Sequence, residues 1–168
     1  MAFTIYDASI PPMIRMLEAL SKILDKAETQ AKQKDIPLNS LLEAQLAPDM
    51  LPFTRQIQIA SDAAKGCAAR LSGVEAPSFP DEEKTFADLQ ARIAKTIDFL
   101  KSVDAAKCAG AESRTMTIKT PTRSFDMPGH LFVTDFAQRN FFFHVTTAYD
   151  LLRHKGIEIG KMDFLGSP

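Results

Sequence analysis

Three histidines, His130, His144 and His154, are the side chains of this sequence best suited to hold a metal ion or move a proton near neutral pH. Their spacing limits what they can do together. His144 and His154 stand ten residues apart, so on one ideal helix they diverge by roughly 80°. His130 and His144 share a face but lie about 21 Å apart along the axis. No two of them can share an ion within one helix, and the His-x-x-x-His spacing of a helical metal pair is absent. His154 sits between Arg153 and Lys155 near an expected helix end, where a cation complements the dipole. His130 is expected at the start of the same helix, exposed or packed on a hairpin. His144 is placed differently. Phe136, Asn140, His144, Thr147 and Leu151 fall on one stripe, which sets Asn140 and His144 one turn apart among aromatic residues. Polar side chains on a core-facing stripe are unfavourable unless they find partners. On one reading His144 is a buried histidine satisfied by Asn140 or by a neighbouring helix. On the other it is a ligand or general base in a polar pocket inside the protein.

A second stripe offers a partner. Gln56 flanks Phe53, Ile57 and Ala60, with Ile59 beside it, and is expected to face the interior. Arg55, Gln58, Asp62 and Lys65 lie on the other side and read as a solvated face whose ion pairs contribute under ~0.5 kcal/mol each. Asp49, near the expected start of that helix, reads as a cap. Tyr149 follows the His144 turn, where it either closes one end of a cavity or packs. Cys67, on a small-residue stripe, reads as an inert buried thiol, and Cys108 falls in a polar loop with only Lys107 to activate it. There is no phosphate loop, nucleophile elbow, nucleotide fingerprint or zinc-ribbon spacing.

The elements that must position these residues follow from hydrophobic period. Ile10, Met13, Ile14, Leu17, Leu20, Ile23 and Leu24 predict a helix over residues 4–33. Pro11 and Pro12 are expected to kink it, because Ile5 and Tyr6 extend the same face. A short turn is expected over 41–46. The second long helix begins near Pro48-Asp49 and ends at Ser72-Gly73. Residues 76–80 form a linker, and Ser78-Phe79-Pro80-Asp81 resembles a capping box for the third helix, which carries Phe86, Leu89, Ile93, Ile97 and Leu100 and ends near Ser102. Alternation at 115–119 and 123–127, around Pro121-Thr122, predicts a hairpin that must lean on the helices. The last helix is expected from Pro128-Gly129 to about Lys155, apolar on more than one face and the most buried. The tail, residues 157–168, is expected to pack back on the bundle. The fold class is all-α, a four-helix bundle with a short hairpin inserted before the last helix.

Composition narrows the function classes. The 168 residues make one expected domain, 1–168, 45% hydrophobic and 24% charged, long enough to build a core without metal or disulfide. Twenty basic against 21 acidic residues leave a net charge of −1, which argues against a nucleic-acid surface. No apolar run approaches the ~20 residues of a membrane span. Met1-Ala2-Phe3-Thr4 has no basic leader region, so a cytoplasmic location is expected. A homodimer through the alanine-rich or aromatic surfaces is the expected assembly.

The segments Asn140-Phe141-Phe142-Phe143-His144-Val145-Thr146-Thr147-Ala148-Tyr149, Leu152-Arg153-His154-Lys155-Gly156, Ala47-Pro48-Asp49-Met50, Arg55-Gln56, Ala60-Ser61-Asp62 and Gly160-Lys161-Met162-Asp163-Phe164-Leu165-Gly166 together resemble a bacterial family of unknown function. That family is a remote branch of the DinB-like (damage-inducible) four-helix bundles, a superfamily of metalloenzymes that includes thiol-dependent transferases and isomerases. The resemblance implies a metal position built from one histidine of the second helix and a His-x-x-x-His pair on the last. It sets Asn140 and His144 at the paired positions and Gln56 near the third. Only His144 is a histidine here, and carboxamide oxygens are poor ligands for Zn or Ni. The expectation is therefore a degenerate metal site turned into a polar pocket for a small molecule, lined by His144, Asn140 and Gln56, with Tyr149 nearby. A residual hydrolase or transferase activity would use His144 as base. A second expectation is a non-catalytic dimerisation or interaction module, the polar trio being an internal hydrogen-bond network that fixes helix register. A third is a true metalloenzyme holding Zn or Ni through His144 with oxygen ligands from Asp49 or Asp62.

Overall fold

In a computed structural model the chain is described over residues 2–120 and 122–166; Met1, Pro121 of the expected hairpin turn, and Ser167 and Pro168 of the expected tail lie outside the described residues. Helix α1 (Ile5–Gln33) starts at a capping box in which Asp7 N donates to Thr4 Oγ1 at 3.2 Å and Thr4 N donates to Asp7 Oδ2 at 3.0 Å. It runs through Pro11 and Pro12 as one helix. Pro12 has no N–H for the Ala8 carbonyl. Gln138 Nε2 donates to that carbonyl instead, at 2.7 Å, so the lost intrahelical bond becomes a tie to another part of the chain.

The expected short turn sits earlier, as α2 (Leu38–Leu42), and α3 (Phe53–Ser72) starts later than Pro48-Asp49. Pro52 is the N-cap residue of α3 in extended backbone, so Asp49 lies outside the helix, exposed, and caps nothing. Gly73 closes α3 in the left-handed region at φ 72°. Helix α4 (Phe86–Ser102) is capped by Thr85 and Asp88 rather than by Ser78 and Asp81. A 3-10 turn (Ala105–Cys108) then buries Cys108, which the sequence had placed in an open polar loop. Strands β1 (Thr115–Lys119) and β2 (Ser124–Pro128) pair antiparallel, with Met116 opposite Met127 and Ile118 opposite Phe125. The last helix runs without a break over residues 129–154, as expected, but it changes type along its length. A turn of α-helix, α5 (Gly129–Leu131), leads into a π-helical segment (Phe132–Ala137) and only then into α6 (Gln138–His154). The tail ends in α7 (Lys161–Leu165), which packs on α1 through the Lys26–Asp163 ion pair.

Helices α1, α3, α4 and α6 form the four-helix bundle, with α6 along α3 and α4 against both α3 and α1. No described helix is long and apolar enough to cross a membrane.

The face of α3 read as solvated is covered in part: Asp62 stays exposed and Arg55 half-buried, but Gln58 and Lys65 are buried. Gln58 is 2% and Lys65 5% exposed, because residues 74–85 fold back across them as a strap. Its anchor is Arg92 of α4, 2% exposed. Arg92 Nη2 donates to Asp62 Oδ1 at 2.9 Å, and Nη1 donates to Glu83 Oε1 at 2.9 Å and to the Pro80 carbonyl at 3.2 Å. Arg55 pairs with Asp81, Gln58 Nε2 donates to Glu83 Oε2 at 2.7 Å, and Lys65 Nζ lies 3.8 Å from the Phe79 ring centre. Three cations, Arg55, Lys65 and Arg92, thus face three carboxylates, Asp62, Asp81 and Glu83. Burial pushes the Glu83 carboxyl up, but hydrogen bonds from Arg92 and Gln58 outweigh it and hold the group below its ordinary range.

Two outcomes follow from this packing. Arg92→Met removes the buried cation that Asp62, Asp81 and Glu83 share, and leaves the strap tied only through Arg55, Gln58 and Lys65. Urea denaturation should show a loss of about 3 kcal/mol, the low end for a broken buried pair because Asp62 and Asp81 are partly wet, and limited proteolysis should cut within 74–85. Gly129 is the tightest backbone approach: a Cβ there would fall 1.8 Å from the Ala111 carbonyl oxygen. Gly129→Ala should therefore lower stability by about 2 kcal/mol in the same assay, by pushing the start of the last helix off the Ala111 backbone.

Candidate functional site

The site is built where α6 crosses α3. The two helices run antiparallel here, since Gln56 meets His144 while Ala63, further along α3, shares a groove with Asn140, earlier on α6. His144 is 9% exposed and its Nδ1 lies 2.6 Å from Gln56 Oε1. The other end of the same carboxamide is also fixed: Gln56 Nε2 donates to the Leu51 carbonyl at 2.8 Å. A carbonyl accepts only, so the Gln56 amide nitrogen must face Leu51 and its oxygen must face His144. The imidazole therefore carries its proton on Nδ1 and donates it to Gln56. Burial pushes the His144 pKa down, so the ring is neutral at pH 7. Its Nε2 then presents a lone pair. Among the described residues that nitrogen has no hydrogen-bond partner, and Arg92 Nε is the one fully buried side-chain nitrogen or oxygen without one, so Nε2 keeps contact with solvent. Phe143, 57% exposed, stands edge-on to the ring at 5.2 Å.

Asn140, one turn earlier, is half-buried and makes no hydrogen bond to His144. It lines a groove of about 210 Å³ between α3, α6 and the hairpin, with Ile59, Asp62, Arg70, Ile118 and Phe136. Gln56 and His144 are not among the lining residues. The expected trio is thus a bonded pair, Gln56 and His144, with Asn140 about 6 Å away along the same face of α6. Tyr149 is elsewhere. Five residues beyond His144 it points about 140° away. Its ring packs edge-on against Phe164 at 5.8 Å and its hydroxyl lies 3.5 Å from the Ile159 carbonyl, so it seats the C-terminal tail and closes no cavity beside His144.

The donor set does not fit a Zn or Ni ion. Both ends of Gln56 are engaged by protein, Asp49 is exposed in the loop before α3, and Asp62 is held by Arg92 and Lys65 at 2.9 Å each. Among the described residues no three His, Cys, Asp or Glu side chains converge. His130 is exposed with Nδ1 3.0 Å from the Glu112 carbonyl, and His154 is exposed in the last turn of α6. Neither cysteine is a ready nucleophile: burial pushes the Cys67 thiol up to about 12 and raises that of Cys108 as well.

Sequence reasoning missed Leu51, whose backbone decides the tautomer. The following Pro52 was the available signal, because a residue before proline is held extended and keeps its carbonyl out of a helix.

The model of a domain of unknown function, DUF1993, matches residues 5–165 of this chain. The comparison with curated proteins gave no match. Among solved structures, the crystal structure of a DinB family member protein from Shewanella denitrificans superposes with a TM-score of 0.90, at 40% identity over 97% of this chain and 92% of that one. The expected DinB-like bundle with its hairpin before the last helices is therefore the fold of this protein, and the chain belongs to the DUF1993 family of domains of unknown function.

Proposed function

We propose that this protein binds a small molecule at the α3–α6 face, with His144 Nε2 and Asn140 as polar contacts and Gln56 as the residue that positions His144. The observation that carries this reading is the free Nε2 of a neutral imidazole whose other nitrogen is locked by Gln56 and Leu51. Such a ring accepts a hydrogen bond or takes a proton without having to reorient. With the thiols raised, His144 would act on a bound molecule as a base and not as the partner of a cysteine nucleophile.

A second reading has its own support. The 2.6 Å bond joins two bundle helices, as a purely structural latch would. A thermal-shift screen of small metabolite-like compounds separates the two. Under the binding reading, His144→Ala keeps its helical circular dichroism and loses the melting-temperature rise given by compounds that stabilise the native chain. Under the latch reading, the variant unfolds or melts far lower and no compound shifts the parent.

The pH dependence has a definite sign. The folded pKa of His144 lies below its unfolded value of about 6.5, so acid protonates the unfolded chain first. The stability this group contributes is complete above about pH 6.5 and is lost as pH falls through the folded pKa. Urea titrations at pH 7.5 and pH 5 should show the parent losing more stability than His144→Gln, which has no proton to gain.

A further inference from the structure

We infer that the α3–α6 groove takes a small carboxylate, an anionic group on a flat apolar body, held by Arg70 and Lys119. It goes beyond the binding reading above, since His144 does not line this groove and the observations that carry it are those of Arg70, Lys119, Asn140 and the apolar wall. The groove has an apolar wall and a charged rim. Phe132 and Phe136, brought together by the π-helical segment, stack at 6.2 Å with 25° between their planes, and Ile118 of β1 extends the wall. A π turn inside a helix is common at functional sites. The rim holds two cations, Arg70 and Lys119, and one carboxylate, Asp62. Asp62 is already engaged by Arg92 and Lys65, at 2.9 Å each. Among the described residues neither Arg70 nor Lys119 has a carboxylate partner. The groove therefore presents uncompensated positive charge in a protein whose net charge is −1, so the charge is local to this site and not a general basic surface.

Arg70 is pre-positioned. Its Nη1 donates to the Gly66 carbonyl one turn back at 3.0 Å, and its guanidinium carbon lies 5.8 Å from the Phe132 ring centre. Gly66 makes this posture possible, since a Cβ there would fall 2.8 Å from Arg70 Nη1. With Nη1 used, Nη2 and Nε remain as a planar pair of donors, the geometry that suits a carboxylate. The half-buried carboxamide of Asn140, on the same groove, makes no hydrogen bond to another described residue and supplies a neutral contact. At about 210 Å³ the groove is smaller than the ~300–1,000 Å³ of drug-sized pockets, which limits the occupant to a compact molecule. The apolar wall favours an aromatic or branched body behind the anion.

The test uses the intact chain with benzoate and its neutral isostere benzamide, followed by two-dimensional amide NMR and calorimetry. Benzoate should bind saturably, with shifts centred on α3, the π segment and β1, and benzamide should bind at least about tenfold more weakly. Arg70→Gln should weaken benzoate by about tenfold or more. Gly66→Ala, which keeps every charge and favours the helix, should weaken it severalfold by displacing the guanidinium. Equal binding of the two probes, no binding of benzoate at millimolar concentration, or indifference to Arg70→Gln would each overturn the inference. The two readings fail separately. A screened compound that needs His144 but ignores both its own charge and Arg70 leaves the binding reading standing and removes the carboxylate. Benzoate that needs Arg70 but binds His144→Ala unchanged does the reverse.

Discussion

A carboxamide with both ends engaged has no freedom to flip, and Gln56 is in that position. The Leu51 carbonyl accepts from its nitrogen and His144 donates to its oxygen. The backbone of the loop before α3 thereby dictates where a proton sits on α6. The pair also ties the two helices on which the groove is built. A net contribution of about 1 kcal/mol is typical for one such bond, but leaving either buried partner unsatisfied costs about 1–3 kcal/mol. The asymmetry makes the register of α3 against α6 stiff, since sliding one helix would break the bond and strand both groups.

The other face of α3 is secured by charge. Arg92 draws the 74–85 strap onto Gln58 and Lys65, and its carboxylate partners come from α3 and from the strap itself. A buried cluster of this kind is weak evidence for stability taken alone, because desolvation offsets much of the attraction. Its effect here is positional. Asp62 sits in the groove rim, and its bonds to Arg92 and Lys65 remove it as a counter-ion for Arg70. The polar cluster on one side of the helix thus sets the charge balance of the groove on the other.

What the sequence made legible was what local period and side-chain chemistry control. The stripes placed the four long helices, the hairpin and the inward turn of Gln56, and His144 was singled out as a histidine whose neighbours on the chain are apolar. Features that depend on chain segments meeting at a distance were not legible. Arg92 occupies an inward position of α4, yet an arginine there reads as an exception until the strap that neutralises it is in place. Arg55, Gln58, Asp62 and Lys65 form a normal solvent-facing pattern, and only the return of Phe79 and Glu83 buries Gln58 and Lys65 among them. The π segment escaped for a related reason. Gly129 must approach Ala111 closely, and Gln138 must reach the Ala8 carbonyl freed by Pro12, so the helix start is set by the hairpin and α1 rather than by its own residues. The DinB-like resemblance located Asn140, His144 and Gln56 together, but carried no sign that Gln56 would serve His144 in place of a ligand.

The identity of the residue at 144 can be weighed against its alternatives. If the only task at this crossing were to join α3 to α6, two apolar side chains of similar shape would do it with no polar group to desolvate, at nearly equal stability. A glutamine–histidine pair adds two burdens: the carboxamide needs the Leu51 carbonyl, and burial of the imidazole lowers its pKa, so the pair loses stability in acid. It adds one property that the apolar pair lacks, a ring nitrogen with a lone pair, held in a fixed direction and in touch with solvent beside an exposed phenylalanine. The extra burdens are the same ones that a histidine prepared for a ligand or a proton requires, with the orienting acceptor on Nδ1 and the reactive position left open. The neighbouring groove, with an arginine held in place by a glycine and lacking a counter-ion, repeats that pattern one turn away. Two adjacent polar groups are thus each oriented by protein on one side and left unmatched on the other, and it is this shared arrangement on which the binding proposal rests.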